Sequence, residues 1–296
     1  MEAGVASRTA VLVCQGRAVA QGRLALGRFD DPVALELLHE DERAEVALAR
    51  GSTPPSGWAP RLRWQTLRAT GPVMALRTVL IDDAIRAAGN PQLVVLGAGL
   101  DARAWRLAVL ADVEVYEVDH PASQRDKRAR LGARVPLAGR HVFVPVDLTR
   151  DDLTGALQSA GHDAGRPTTW VWEGVVPYLA PADVQATVAV LGGISAPGSR
   201  LIVNYVHGTL AIRLGRLLAA GLLRFGGGVN PWASEPWRST WTPAQLAELL
   251  AGQLFRVVAD PDPLTVAEGL GLPGRAPTLR HGRVAIADRQ PRLLSG

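Results

Sequence analysis

"QLVVLGAGLDARAWRL", residues 92–107, decides the fold. A short apolar, β-branched run breaks at Gly97-Ala98-Gly99 and then passes into a helical pattern that opens at Asp101. A strand, a glycine turn and a helix in that order fit the dinucleotide fingerprint G-x-G-x-x-G/A, with Ala102 in its last place. They fit equally the first glycine loop of other nucleoside-binding α/β proteins. Outward from this turn, apolar runs recur at 92–97, 113–119, 141–147, 168–174, 199–206, 255–260 and 283–288. Helical patterns separate them at 101–111, 121–132, 151–160, 181–195 and 242–253. Near-continuous apolar strands alternating with helices predict a doubly wound, mostly parallel α/β sheet covered on both faces. Pro121, Pro181 and Pro243 stand at helix starts, and Thr242 is placed to cap the last of these. No helical pattern separates the final two strands, "FRVVAD" and "RVAIADR", so they are expected to pair antiparallel, one strand running against the rest. Residues 1–90 read as helical segments interrupted by "RGSTPPSGWAP" at 50–60, and 91–296 as the nucleoside-binding domain.

The 296 residues are 47% hydrophobic and 20% charged, a composition ordinary for a globular chain with a sizeable core. The net charge of +4 is carried almost wholly by arginine, because Lys127 is the only lysine. The basic cluster Arg125–Arg134 contains Asp126 and reads as a solvated helix face, and no basic patch interleaved with aromatics points to nucleic acid. No apolar run approaches the roughly 20 residues of a membrane span, and no charged-then-apolar leader opens the chain. Cys14 is the single cysteine, so an intrachain disulfide and a thiolate metal cluster are both excluded. A cytoplasmic setting is expected, and no metal site; the sequence defines no oligomeric state.

Ligands of an open α/β sheet gather at the carboxyl ends of the strands, where the strand order reverses. Gly97, Asp119, Asp147 and Glu173 end the first four strands, and Gly97 and Gly99 admit close backbone approach that a side chain would block. Asp119, 20 residues beyond Gly99, is at the distance that takes the hydroxyls of a ribose. Asp101 chooses between ligands. As a helix-cap carboxylate, a role worth about 0.5–2 kcal/mol, it crowds with like charge the place where a dinucleotide lodges its pyrophosphate. S-adenosylmethionine (SAM) has no phosphate and carries a cationic sulfonium, so an acidic rim suits it better than NAD(P).

Five segments then combine: "QLVVLGAGLDARAWRL", "VYEVDHPASQRDK", "HVFVPVDL", "PTTWVWEGVVPYL" and "SAPGSRLIVNY". Together they resemble the leucine carboxyl methyltransferase family, most closely its actinobacterial SAM-dependent branch, in register from Arg77 to Tyr205. "EPWRSTWTPAQLAELLAGQLFRVV" extends the likeness, and "RFDDPVA" at 28–34 matches a phenylalanine-aspartate-proline segment near the start of many members. The resemblance implies a class I methyltransferase (Rossmann-like) fold with SAM as methyl donor. It implies that Arg77 pairs with the methionine carboxylate, Gly97 lies against the cofactor and Asp119 holds the ribose. It also implies that Asp147 with Leu148 flanks the adenine, and that Glu173 faces the methionine end.

Methyl transfer from SAM is a displacement at an activated carbon, so alignment and exclusion of water are the main requirements. An ionised carboxylate acceptor needs no base, whereas a phenol benefits from one. His207, Tyr205, Tyr178 and His120 are candidates, each with a plainer structural reading, and no catalytic residue is assigned. The segment 207–240, with Trp232, Trp237 and "RFGGGVNPW", is expected to form a lid over the acceptor together with the N-terminal helices. The expected activity is O-methylation of a small-molecule carboxylate or hydroxyl in secondary metabolism. The alternatives are a non-catalytic nucleoside-binding protein of the same fold and an NAD(P)-dependent oxidoreductase.

Overall fold

The computed structural model describes residues 7–208, 238–272 and 282–291. Seven strands form one sheet in the order β3-β2-β1-β4-β5-β7-β6. They are β1 (Gln92–Leu96), β2 (Glu114–Asp119), β3 (Arg140–Pro145), β4 (Thr168–Trp172), β5 (Arg200–Val206), β6 (Phe255–Ala259) and β7 (Gly282–Arg289). All seven fall on the apolar runs read from the sequence. The first five strands are parallel, and β7 lies antiparallel between β5 and β6. The order reverses between β1 and β4, which both pair with full registers, Leu96 opposite Val118 on one side and Trp172 on the other. That is the switch point where ligands of such sheets collect.

Four helices precede the sheet: α1 (Arg8–Ala20), α2 (Val33–Glu36), α3 (Glu40–Arg50) and the 31-residue α4 (Trp58–Ala88). They do not stand apart as a separate unit. Cys14 and Ala18 of α1, Leu67, Ile81 and Ile85 of α4, and Leu93, Val95, Val171 and Ile202 of the sheet belong to one apolar cluster. Gly16 of α1 sets the closeness of α1 to α4, since a Cβ there would lie 2.6 Å from Thr70 Cγ2. Alternate residues of the same strands face the opposite way and pack on α7 (Leu153–Ser159), α8 (Pro181–Gly193) and α9 (Pro243–Ala251), with Trp170 and Trp172 fully buried. This two-faced alternation is what a sheet covered on both sides requires.

The caps behave as expected: Pro121, Pro181 and Pro243 stand at the first turns of their helices, and Thr242 Oγ1 accepts from the Gln245 amide. Three expectations are corrected. The helix expected at 101–111 is a single turn, α5 (Arg103–Arg106), followed by a 3-10 turn at Ala108–Leu110. Leu107 and Leu110 both turn into the core, and that burial outweighs the intrinsic preference to continue the helix. The final strand pair is antiparallel but is joined through a further helix, α10 (Pro263–Gly269), capped by Asp262. The basic stretch on α6 (Pro121–Leu131) is not wholly solvated: Lys127 is buried and bonded to Glu117 at 2.6 Å, although Arg125 and Arg128 are exposed. No helix among the described residues is long and apolar enough to cross a membrane.

Candidate active site

The turn after β1 is made by two glycines in the left-handed region, Gly97 at φ +64° and Gly99 at φ +48°. Val118 O accepts from both the Gly97 and Ala98 amides, at 2.8 and 3.1 Å, which ties the turn to the end of β2. The room a side chain would take is filled by the protein itself. A Cβ on Gly97 would lie 2.3 Å from Val175 Cγ2, and one on Gly99 would lie 3.1 Å from Ala10 Cβ. The sequence reading gave these glycines to ligand approach. The packing shows that backbone conformation and the closeness of Val175 and α1 already demand them.

Asp119 closes β2 and meets the same turn: Oδ2 accepts from the Gly99 amide at 2.5 Å and Oδ1 from the His120 amide at 2.6 Å. Each oxygen accepts one of these backbone bonds and keeps a further lone pair to offer. Burial pushes the carboxyl above its ordinary range, with the two amides opposing the shift. Asp147 lies two residues beyond β3, where Oδ1 accepts from the Thr149 amide and hydroxyl at 3.0 and 2.7 Å. Those bonds hold its carboxyl below the usual range against partial burial, with Arg150 and His120 adding to the effect. Leu148 is half-buried against the apolar cluster of the second face.

Arg77 on α4 and Glu173 just past β4 meet directly, Nε to Oε1 at 2.6 Å. Glu173 Oε2 takes Arg103 Nη1 at 2.8 Å, and Arg103 also holds Asp101 and, through Nε at 2.7 Å, Asp82. Asp82 continues to Arg106 at 2.7 Å, and Arg106 and Arg17 converge on Asp31 at 3.5 and 2.9 Å. Burial alone would raise the Glu173 carboxyl, but the Arg77 and Arg103 guanidiniums outweigh it and bring it to about 2. Asp101 is likewise opposed by burial and lowered to about 2, chiefly by Arg103. Arg17, Arg77, Arg103 and Arg106 thus balance Asp31, Asp82, Asp101 and Glu173, four charges against four. This corrects the picture of an acidic rim: Asp101 and Glu173 are neutralised in place. The Asp101 carboxylate has a second consequence. Its Oδ1 accepts from the Arg103 amide at 2.7 Å, so the opening amide of α5 is already taken.

The acid–base candidates separate. Tyr205 is fully buried and donates to Asp260 Oδ2 at 2.6 Å, which with burial drives the phenol well above its ordinary range. His120 Nδ1 accepts from the Ala122 amide and caps α6. Tyr178 ends a 3-10 turn after β4. His207, just past β5, bridges to Trp241. The lid expected at 207–240 lies outside the described residues except at its ends, where the Arg238 and Ser239 amides donate to Pro177 O.

The leucine carboxyl methyltransferase family matches residues 10–192, well over half of the chain. The chain belongs to that family. A Frankia alni protein named "Putative S-adenosyl-L-methionine-dependent methyltransferase" is 37% identical over 65% of this chain and 66% of its own length. A protein of the same name from Mycobacterium avium is 38% identical over 67% of this chain and 64% of its own. One from Mycolicibacterium smegmatis is 46% identical over 44% and 42%. The chain therefore spans between about two fifths and two thirds of the length of these curated relatives. Two crystal structures cover nearly all of it. One, described as a putative methyltransferase from Thermobifida fusca, has 18% identity and TM-score 0.54, covering 97% of this chain and 96% of that one. The other, a DUF574 family protein from Streptomyces avermitilis, has 17% identity and TM-score 0.55, covering 97% and 98%. The fold of this family member is that of the class I methyltransferases.

Sequence reasoning passed over Arg17, Asp31, Asp82, Arg103, Arg106 and Asn204. Asp82 left a readable signal. It lies on the α4 stripe with Ala75, Thr78, Val79 and Ile85, and an acid on an apolar stripe needs a buried partner. Asn204, inside β5, takes the Gly174 amide at 3.3 Å and lies 3.5 Å from Arg77 Nη1; a single Asn in a strand gives no comparable signal.

Proposed function

We propose that this family member is a SAM-dependent O-methyltransferase acting on a small-molecule carboxylate or hydroxyl. The observation that carries the nucleoside part is the joint between Asp119 and Gly99. It sets a carboxylate with spare acceptor capacity at the switch point, beside a helix turn whose first amide is already bonded. A diphosphate would find that amide occupied, whereas a diol would find acceptors. The Arg77–Glu173 pair offers one cation and one anion, which suits the amino-acid end of SAM, and beyond it the Cβ direction of Gly174 opens into free space. These residues fit the cofactor. Arg77 would hold its carboxylate, Glu173 its ammonium and Asp119 its ribose, while Asp147 and Leu148 would flank the adenine and Gly97 and Gly99 form the floor.

Bound SAM supplies an electrophilic methyl group, so the chain has chiefly to align the acceptor and keep water out. An acceptor carboxylate is ionised at neutral pH and asks no residue to take a proton. For a hydroxyl acceptor His207 and Tyr178 remain the candidate bases, because the Tyr205 hydroxyl is committed to Asp260 and the His120 ring to α6. A small acceptor, as opposed to a peptide, is supported by the N-terminal helices lying against the glycine turn, with Ala10 on Gly99 and Arg17 donating to Leu100 O at 2.5 Å. Secondary metabolism and a cytoplasmic setting belong to the same proposal. Calorimetric titration with SAM, S-adenosylhomocysteine and NAD tests the ligand. Micromolar-range binding of the first two and none of NAD is expected; binding of NAD in preference would overturn the reading. Methyl transfer to any acceptor in a panel of small carboxylic acids and phenols would then exclude a purely binding role.

A further inference from the structure

Glu173 is gripped from two sides, and only one of them belongs to the residues assigned so far. Arg77 holds Oε1 and Arg103 holds Oε2. The two guanidiniums differ in how firmly they are held. Among the described residues Arg77 has one carboxylate partner, Glu173, and a long 3.5 Å contact to Asn204. Arg103 has three, Asp82, Asp101 and Glu173, and is 1% exposed. A ligand carboxylate can therefore draw Arg77 away from Glu173, while Arg103 has no solvent-facing alternative and two other acids pinning it. Resting on the SAM reading above, we propose that Arg103 is a positioning residue: it keeps the Glu173 carboxylate in place at the end of β4 while Arg77 engages the amino-acid carboxylate of the ligand.

The electrostatics agree. Burial works against the charged form of Glu173, and Arg77, Arg103 and Arg17 oppose it, with Asp101 on the other side. When Arg77 is shared with a ligand, Arg103 is the nearest guanidinium left to offset the burial. Asp82 fixes Arg103 from α4, the helix that also carries Arg77, so one element sets the spacing between the two guanidiniums.

The test is calorimetry on the full chain with two ligands, S-adenosylhomocysteine and 5′-methylthioadenosine, which lacks the amino-acid group. In Arg103→Met, S-adenosylhomocysteine is expected to weaken by roughly tenfold or more, as for loss of a charge-assisted pair, while methylthioadenosine stays within about twofold. The ratio of the two affinities should fall further from pH 7.5 to 5.5 in the variant and stay flat in the unaltered protein. Arg103→Lys, which keeps the charge but not the fork, should recover part of the loss. Equal weakening of both ligands, or an unchanged ratio, overturns the proposal and leaves Arg103 a merely structural residue. Should Arg103→Met fail to fold by circular dichroism, the ratio in Arg103→Lys decides on the same terms. Failure of the unaltered protein to bind either ligand overturns the cofactor reading itself.

Discussion

The two faces of the sheet are built on different physics. The face under α7, α8 and α9 is filled by Trp170, Trp172, Leu157, Val184 and Leu201. Its one buried charge among the described residues is Arg289, which donates to the Gly192 and Gln253 carbonyls. The face under α1 to α6 buries Arg17, Asp31, Asp82, Asp101, Arg103, Glu117 and Lys127. Apolar burial stabilises in proportion to area, whereas a buried ion pair does little better than an apolar replacement and punishes the loss of one partner. Apolar clusters hold both faces together, and the second carries a buried ion network in addition. The second face, where the strand order reverses, holds side chains in defined positions at a cost that only positioning explains.

The largest expected effect comes from acid. Glu173 and Asp101 are both lowered to about 2, from ordinary values of 4.5 and 3.8. Depressed carboxyls contribute stability that is complete above their unfolded values and is lost as pH falls from there toward 2. Burial lowers His162 on the apolar face, so its contribution is complete above 6.5 and is lost below. Urea midpoints measured from pH 7 to 3 should therefore decline gently at first and steeply below about 4.5, and the steep part should flatten in Glu173→Gln. A midpoint constant down to pH 3 would show that the ion network contributes nothing to stability. Next comes Trp170→Ala, expected to cost about 3–5 kcal/mol in urea unfolding; a loss below about 1 kcal/mol would mean the apolar face relaxes around the cavity. Lys127→Met strands Glu117 and should cost about 3 kcal/mol, yet Glu117→Gln with Lys127→Met should recover most of it. If the double variant is no better than the single, the pair stabilises the fold outright and the contrast between the faces fails. Smallest is Asp119→Ala, which should weaken S-adenosylhomocysteine about tenfold, near 1.4 kcal/mol, with a smaller change in urea midpoint than Trp170→Ala. Unchanged affinity would remove Asp119 from the site.

The apolar face was readable because most of its strands are short apolar runs with glycine or proline close by, so period and composition agree. The positions of the candidate residues Gly97, Asp119 and Glu173 were readable for the same reason, since they lie at or next to strand ends. Arg77, on a helix with several other arginines, needed the family resemblance. What was not readable is the partnership of charges. Asp101 looks like a free helix cap in one dimension, and only the fold shows the Arg103 guanidinium turned back onto it and held there by Asp82 of α4. The helix at 263–269 was missed because Asp262 and Pro263, its start signals, follow so closely on β6 that they read as a loop.

The position of β7 has a consequence for how the molecule is made. Among the described residues β6 pairs only with β7, and β5 keeps an open edge until β7 fills it. A ribosome that has finished β6 has thus exposed two unmatched edges, and neither is closed until residues 282–289 leave the exit tunnel. The sheet is sealed late, by the strand next to its edge, so trimming the chain before Gly282 would remove β7, leave β6 unpaired and reopen the edge of β5.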